Sequence, residues 1–297
     1  MISVACVGIA VRDFVFQVSA LPTSGGKFYA HGFQEVSGGV AANAAIAVSR
    51  LGSKARYIGR VGDDGVGSSI LADLEAVGVE TGAVQVMNGI SSPVSTVLVD
   101  QHGERTIVNH TPAALFVGGD TGPAGDLDHV DAVLVDVRWP EGALRALESA
   151  ASRGIPSVFD FDRPLADRGG ELLSLATHVA FSQPALEATA ETSDPEAGLV
   201  SMARHTNAWL AVTLGGDGVL WREGDSIRHL PAFEVDVVDT TGAGDVFHGA
   251  LALALAEEQS EADAVRFAAA AAALKCTREG AGRGAPHRAE VEALLKE

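Results

Sequence analysis

Short apolar runs at residues 132–136, 157–160, 179–181 and 209–213 alternate with stretches of helical period such as 141–152. Few folds accept that rhythm. The runs are of strand length, and each is followed by a segment long enough to cross back over a sheet. Repeated strand and crossover predict a mainly parallel sheet with helices on both faces, a three-layer αβα arrangement. Residues 2–10 (ISVACVGIA) supply a buried first strand, while 218–222 and 227–230 read as a terminal antiparallel pair. Long helices are expected at 243–257 and 261–277, the second carrying six consecutive alanines that suit close helix packing. With 47% hydrophobic residues, 5% aromatics and 34 glycines in 297 residues, the composition fits such layers. No repeat or linker divides the chain, so one domain over 1–297 is expected.

Two regions break the rhythm. Residues 25–33 alternate weakly and read as one-sided strands, and 95–100 with 106–109 flank a Gly-containing turn as a hairpin. Together, about 14–38 and 91–110 form a small β lid over the carboxyl ends of the main strands, where open α/β sheets bind ligands. A helix over 40–51 opens at Gly38-Gly39 and stops at Gly52, followed by a strand at 55–60 and a helix at 65–77. The formal charge of −18 argues against nucleic acid and anionic membranes as partners, and an anionic small substrate would need locally placed cations. No apolar run reaches membrane-spanning length, and residues 1–10 lack the basic leader of a signal peptide. Cys6 and Cys276 read as buried free thiols, which fits a reducing cytoplasm.

The sharpest local signal is Val237-Val238-Asp239-Thr240-Thr241-Gly242-Ala243-Gly244-Asp245-Val246-Phe247. It reads as an apolar strand, a Gly-rich turn and an apolar helix. Such a turn gathers backbone N–H groups at a helix N-terminus, a place for an anion. Asp245, in the first turn, stands where a base is needed if a hydroxyl approaches a phosphoryl group there. It reads equally as a capping carboxylate. No Gly-Lys-Ser/Thr follows, so the turn is not a P-loop. It also comes too late, with Phe247 at the third glycine position, for a dinucleotide fingerprint.

The chain resembles the ribokinase/PfkB family of carbohydrate kinases along nearly its whole length. Asp239 to Asp245 is similar to the family's C-terminal signature, Gly38-Gly39 with Asn43 to its N-terminal one, and Asp13 to its sugar-binding aspartate. Thr213-Leu214-Gly215-Gly216-Asp217-Gly218 resembles its nucleotide-side loop. The resemblance implies a ribokinase-like fold, ATP and Mg²⁺, with Asp245 as base and the amides of Gly242, Ala243 and Gly244 as the anion hole. It assigns Asp13, Gly39 and Asn43 to the sugar and Thr213, Gly215, Gly216 and Gly218 to the nucleotide. Lys275 belongs by the same resemblance to a base pocket over 275–284. Asp239 and the Thr241 carbonyl are implied near a monovalent cation, and lid strands in a homodimer. The family's Asn-x-x-Glu is absent, Ser182 and Ala185 standing in its place, so the residues organising Mg²⁺ are left unassigned.

Three residues could read a distal anion. Lys27 is a surface lysine or a ligand, Asn109 a turn residue or a ligand, and Arg138 follows an apolar strand before Trp139-Pro140. Together with residues 235–239 and 273–278 they resemble the branch that phosphorylates the 1-hydroxyl of 6-deoxy-6-sulfofructose in sulfoquinovose degradation. That resemblance implies a sulfonate clamp of Lys27, Asn109 and Arg138. The competing readings are a fructose-type ketose or 2-keto sugar-acid kinase, and outside kinases an α/β oxidoreductase or a non-catalytic sugar sensor. The oxidoreductase lacks its glycine fingerprint. The sensor has no use for Asp245.

Overall fold

A computed structural model describes residues 1–117, 127–164 and 168–296. The strands are β1 (Ser3–Val7), β2 (Val11–Gln17), β3 (Gly32–Gly38), β4 (Lys54–Ile58), β5 (Arg60–Gly62), β6 (Val79–Glu80), β7 (Gln85–Met87) and β8 (Val94–Val99). They continue as β9 (Arg105–His110), β10 (Ala132–Val135), β11 (Ser157–Phe161), β12 (His178–Ser182), β13 (Trp209–Thr213), β14 (Val219–Glu223) and β15 (Ser226–Leu230). The helices are α1 (Val40–Arg50), α2 (Gly65–Ala76), α3 (Ala113–Phe116), α4 (Pro140–Arg153) and α5 (Gly169–Leu175). After them come α6 (Gln183–Ala190), α7 (Pro195–Met202), α8 (Ala243–Ala256), α9 (Glu261–Cys276) and α10 (Arg288–Leu294).

Among the described residues, nine strands form the main sheet in the order β15-β14-β13-β12-β11-β10-β1-β4-β6. From β6 to β13 every pairing is parallel; β14 and β15 close the sheet antiparallel, as the sequence predicts. Alternate side chains of β1 explain the layers. Val4 and Cys6 enter one core with α1, α8 and α9, while Ala5 and Val7 enter the other with α4, α5, α6 and α7. Because successive strand side chains face opposite ways, a run without polar interruption requires cover on both sides. The expected αβα class is the observed one.

A second sheet has the order β3-β2-β8-β9. Its register sets Asp13 opposite Ser95, and Ser95 opposite Asn109, so the three form one row across β2, β8 and β9. Phe14 and Phe16, on the other face of β2, pack with Phe33 at ring distances of 6.4 and 5.0 Å.

Three local readings change. Of residues 25–33 only Gly32 and Phe33 are strand, at the start of β3; β2 begins at Val11, and 18–31 have no regular secondary structure. Gly25-Gly26 and the weak alternation beside it belong to a loop, whereas both faces of β2 carry apolar groups, which hides its period. The Val237-Val238 pair is not a strand either. Residues 231–238 are irregular, and both valines are mostly exposed, tied instead by the Val238 amide to the Cys276 carbonyl at 2.8 Å. Both thiols are free, Cys6 buried as expected but Cys276 only half-buried.

Candidate active site

The carboxyl ends of the parallel strands converge on the N-terminus of α8. Gly242 caps that helix at φ 74°, a left-handed conformation open to glycine, and a Cβ there would press on Ala281 at 3.1 Å. The first-turn amides of α8 point out of the helix without intrahelical partners of the usual kind. The Ala243 amide is drawn toward the Thr240 carbonyl at 3.2 Å. Asp245 follows one residue after Gly244. Asn43, on the first turns of α1, donates its Nδ2 to Asp245 Oδ2 at 2.7 Å and accepts the Gly282 amide at 3.2 Å. One buried amide therefore joins α1, α8 and the turn at 281–284.

Burial and the nearby Asp160 carboxylate push Asp245 up to about 7, against the Asn43 hydrogen bond and the His248 charge, which pull it down. His248 lies one turn further along α8, buried. Its Nδ1 is 2.9 Å from Asp160 Oδ2 and 2.7 Å from the Gly244 carbonyl, and its Nε2 is 3.3 Å from the Ala180 carbonyl. Each of these neighbours is an acceptor, so the ring carries both protons. Although burial opposes charging, Asp160 outweighs it and the imidazole rises to about 9. Asp160 Oδ1 is buried with no hydrogen-bond partner among the described residues, so its charge is felt by Asp245. A carboxyl group poised near neutrality beside the first-turn amides of a helix has the chemistry to take a proton while an anion is held.

A cleft of about 520 Å³ lies between the lid and the strand ends. Asp13, Gly39, Asn109 and Arg138 line it; Asp245 lies outside its lining, linked to it through Asn43 one helical turn from Gly39. Gly39 has φ 102°, and a Cβ there would stand 2.5 Å from the Ile9 carbonyl oxygen. Burial raises Asp13 above the usual carboxylate range despite its Ser95 hydrogen bond. The Ser95 hydroxyl donates its proton to Asn109 Oδ1 at 2.6 Å. Arg138 is held by the Asp136 carboxylate, which accepts its backbone amide at 2.8 Å, and its guanidinium pairs with Asp162. Asp136, wholly buried, also accepts the Ile9 amide at 2.8 Å and the Ala41 amide at 3.2 Å, binding β1, α1 and the end of β10 at one carboxylate.

The pfkB family carbohydrate kinase profile matches residues 1–288. A Bacillus subtilis ribokinase is 32% identical over 302 residues, covering 99% of this chain and 100% of the relative. A candidate ribokinase from Agrobacterium tumefaciens, known as a crystal structure, aligns with a TM-score of 0.94 at 40% identity, covering 99% of this chain and 97% of that one. The Arabidopsis thaliana ribokinase solved with ribose and ATP aligns at 0.86 and 26% identity over 100% and 99% of the two chains. The chain belongs to the pfkB family of carbohydrate kinases. It is an ATP-dependent sugar kinase by class.

Within this pfkB kinase, Thr213, Gly215, Gly216 and Gly218 stand at the carboxyl end of β13, apart from the cleft lining. Thr213 Oγ1 donates to the Phe181 carbonyl at 3.3 Å, and Gly218 at φ 95° has no space for a Cβ, which would lie 2.0 Å from the Leu230 carbonyl oxygen. Two of the residues singled out from sequence stand away from the cleft. Lys27 does not line the cleft: it is exposed on the irregular loop, 5.7 Å from the Tyr29 ring, because the Gly25-Gly26 segment carries it away from the sheet. Lys275 also stands outside the cleft lining. It is fully buried at the end of α9, and its Nζ donates to the Asp239 carbonyl at 2.6 Å and to Asp239 Oδ2 at 3.2 Å.

Sequence reasoning missed Arg105 and Arg163, both in the cleft lining. Arg105, on the lid edge, pairs with Asp239 at 2.7 Å and so ties lid to turn. No local pattern marks either arginine, since each reaches the cleft only through folding. Ser182 Oγ caps α6, accepting the Ala185 amide at 3.3 Å and donating to the Asp162 carbonyl at 3.2 Å. Among the described residues no group of three or more His, Cys, Asp or Glu is disposed to hold a metal ion.

Proposed function

We propose that this kinase transfers the γ-phosphoryl group of ATP to the 1-hydroxyl of 6-deoxy-6-sulfofructose, giving 6-deoxy-6-sulfofructose 1-phosphate. One observation carries the choice of an anionic ketose: Arg138 and Arg163, from the ends of neighbouring strands, line one cleft with Asn109 and Asp13. On a chain of charge −18, cations gathered in a sugar cleft favour an anion that the molecule as a whole repels. A sulfonate offers three acceptor oxygens to guanidinium and amide donors, while Asp13 accepts from sugar hydroxyls.

In this reading Asp245 takes the proton of the primary hydroxyl as its oxygen attacks the γ-phosphorus. The bond to the bridging oxygen breaks, and ADP leaves with that electron pair. The amides of Gly242, Ala243 and Gly244 face the charge on the transferred group, and each such donor is worth ~2.7–4 kcal/mol in the barrier. Mg²⁺ enters as part of the MgATP substrate, held by phosphate oxygens and water, and neutralises charge between the phosphates. The nucleotide lies along the loop at Thr213 to Gly218. The enzyme works in the cytoplasm as a dimer through its lids, whose edge strands are open to pairing.

A second reading, a neutral ketose, is favoured by the Arg138–Asp162 pair, which already compensates one of the cations. A panel of 6-deoxy-6-sulfofructose, fructose, fructose 6-phosphate and ribose with MgATP, products weighed by mass spectrometry, separates the two. The proposal expects the sulfonate to win in kcat/KM by about tenfold or more, a difference of ~1.4 kcal/mol. Preference for ribose or fructose removes the sulfonate assignment and leaves the kinase.

A further inference from the structure

A bound monovalent cation beside the phosphate turn would need the oxygens of Asp239 and the Thr241 carbonyl. Those of Asp239 are already engaged. Its carbonyl accepts Lys275 Nζ at 2.6 Å, and Oδ2 accepts the same ammonium at 3.2 Å and the Gly280 amide at 3.1 Å. Oδ1 accepts the Thr241 amide at 2.9 Å, the Thr241 hydroxyl at 2.6 Å and Arg105 at 2.7 Å. A free cation would meet a buried ammonium at hydrogen-bond range and oxygens with few lone pairs left. The residues present do not fit such an ion.

We infer that the ε-ammonium of Lys275 is itself the cation of this site, tethered to α9, so that the kinase needs no monovalent ion. Lys275 is wholly buried, and among the described residues its Nζ hydrogen-bonds to Asp239 alone. It ends a helix, where the macrodipole also favours positive charge. The lysine fixes the backbone of Asp239 three residues before the Gly242 cap, which sets where the amides of the anion hole point. Because the charge is covalently attached, it cannot be lost by dilution, and no binding step precedes turnover.

The inference rests on reading this turn as a phosphoryl-transfer site. Turnover and thermal unfolding of the unmodified enzyme are to be compared in potassium, sodium and tetramethylammonium chloride at one ionic strength. The expected result is equal rates and equal Tm. Activation by potassium of about tenfold or more overturns it, a small effect beside the ~10²–10³ lost with one charge-stabilising donor. Lys275→Ala is expected to lose turnover and to regain part of it, with a higher Tm, on adding methylammonium or potassium; a folded variant that neither ion restores overturns the inference. If the variant does not fold, crystals of the unmodified enzyme soaked in rubidium decide. No anomalous peak is expected within hydrogen-bonding range of the Asp239 carbonyl, and a peak there overturns it. A chain that phosphorylates no sugar sinks the functional reading, while the Tm and rubidium arms still judge the lysine.

Discussion

Asp245 sits where opposing charges meet. Burial and Asp160 drive its proton affinity up to about 7, and Asn43 and His248 restrain it. In the proposed role of base it must be ionised, so kcat/KM is expected to climb with pH through about 7 and then level, a limb read from initial rates across buffers. Asp245→Asn should lower kcat by about 10²–10⁴ while sugar binding by calorimetry is retained. His248 obeys the opposite sign. Its folded value, about 9, lies above the ordinary 6.5, so the stability it contributes is complete below 6.5 and lost as pH rises through 9. His248→Asn should flatten the fall of Tm over that window. It should also move the activity limb to higher pH, since a positive neighbour of Asp245 is gone. An unmoved limb would mean that the imidazolium does not act on the base.

At the scale of elements, α1 and α8 meet through their smallest residues. A Cβ on Gly249 would stand 2.7 Å from the Ala44 carbonyl oxygen, one residue beyond the Asn43 that holds Asp245. Gly249→Ala must push the helices apart, at a cost of about 1–3 kcal/mol by overpacking, seen as a lower urea midpoint. Because the same displacement stretches the Asn43–Asp245 hydrogen bond, kcat should fall with stability. Loss of stability with unchanged kcat would show that the base is placed independently of α1. The lid strands are elements of another kind. Their side chains at 13, 15 and 17, 95, 97 and 99, and 105, 107 and 109 all line the cleft, the period of two expected of strands.

At the scale of the whole molecule, the outer lid face is one place among the described residues where apolar groups stay uncovered. Phe33 is 52% and Val108 66% exposed, beside Phe14 and Phe16 on the same sheet. Apolar patches of that kind on edge strands suit association, and the dimer proposed above would seat a second copy there. Light scattering should give a dimer for the native chain and a monomer for Phe33→Asp; a native monomer ends that idea. None of the described helices is long and apolar enough to cross a membrane.

The order of strands and helices, the antiparallel close and the Gly242–Asp245 turn were legible in sequence, because each is written in residues adjacent along the chain. Local spacing is enough when the hydrogen bonds and the burial it implies are themselves local. The Asp13–Ser95–Asn109 row, the arginines at 105 and 163, the Asp160–His248 pair and the burial of Lys275 came only with the tertiary structure. Each depends on strand register or on the contact of distant elements, and the free energy of a buried charge is set by neighbours that no window of sequence contains. For the same reason Lys27, chosen on local pattern, stands away from the cleft.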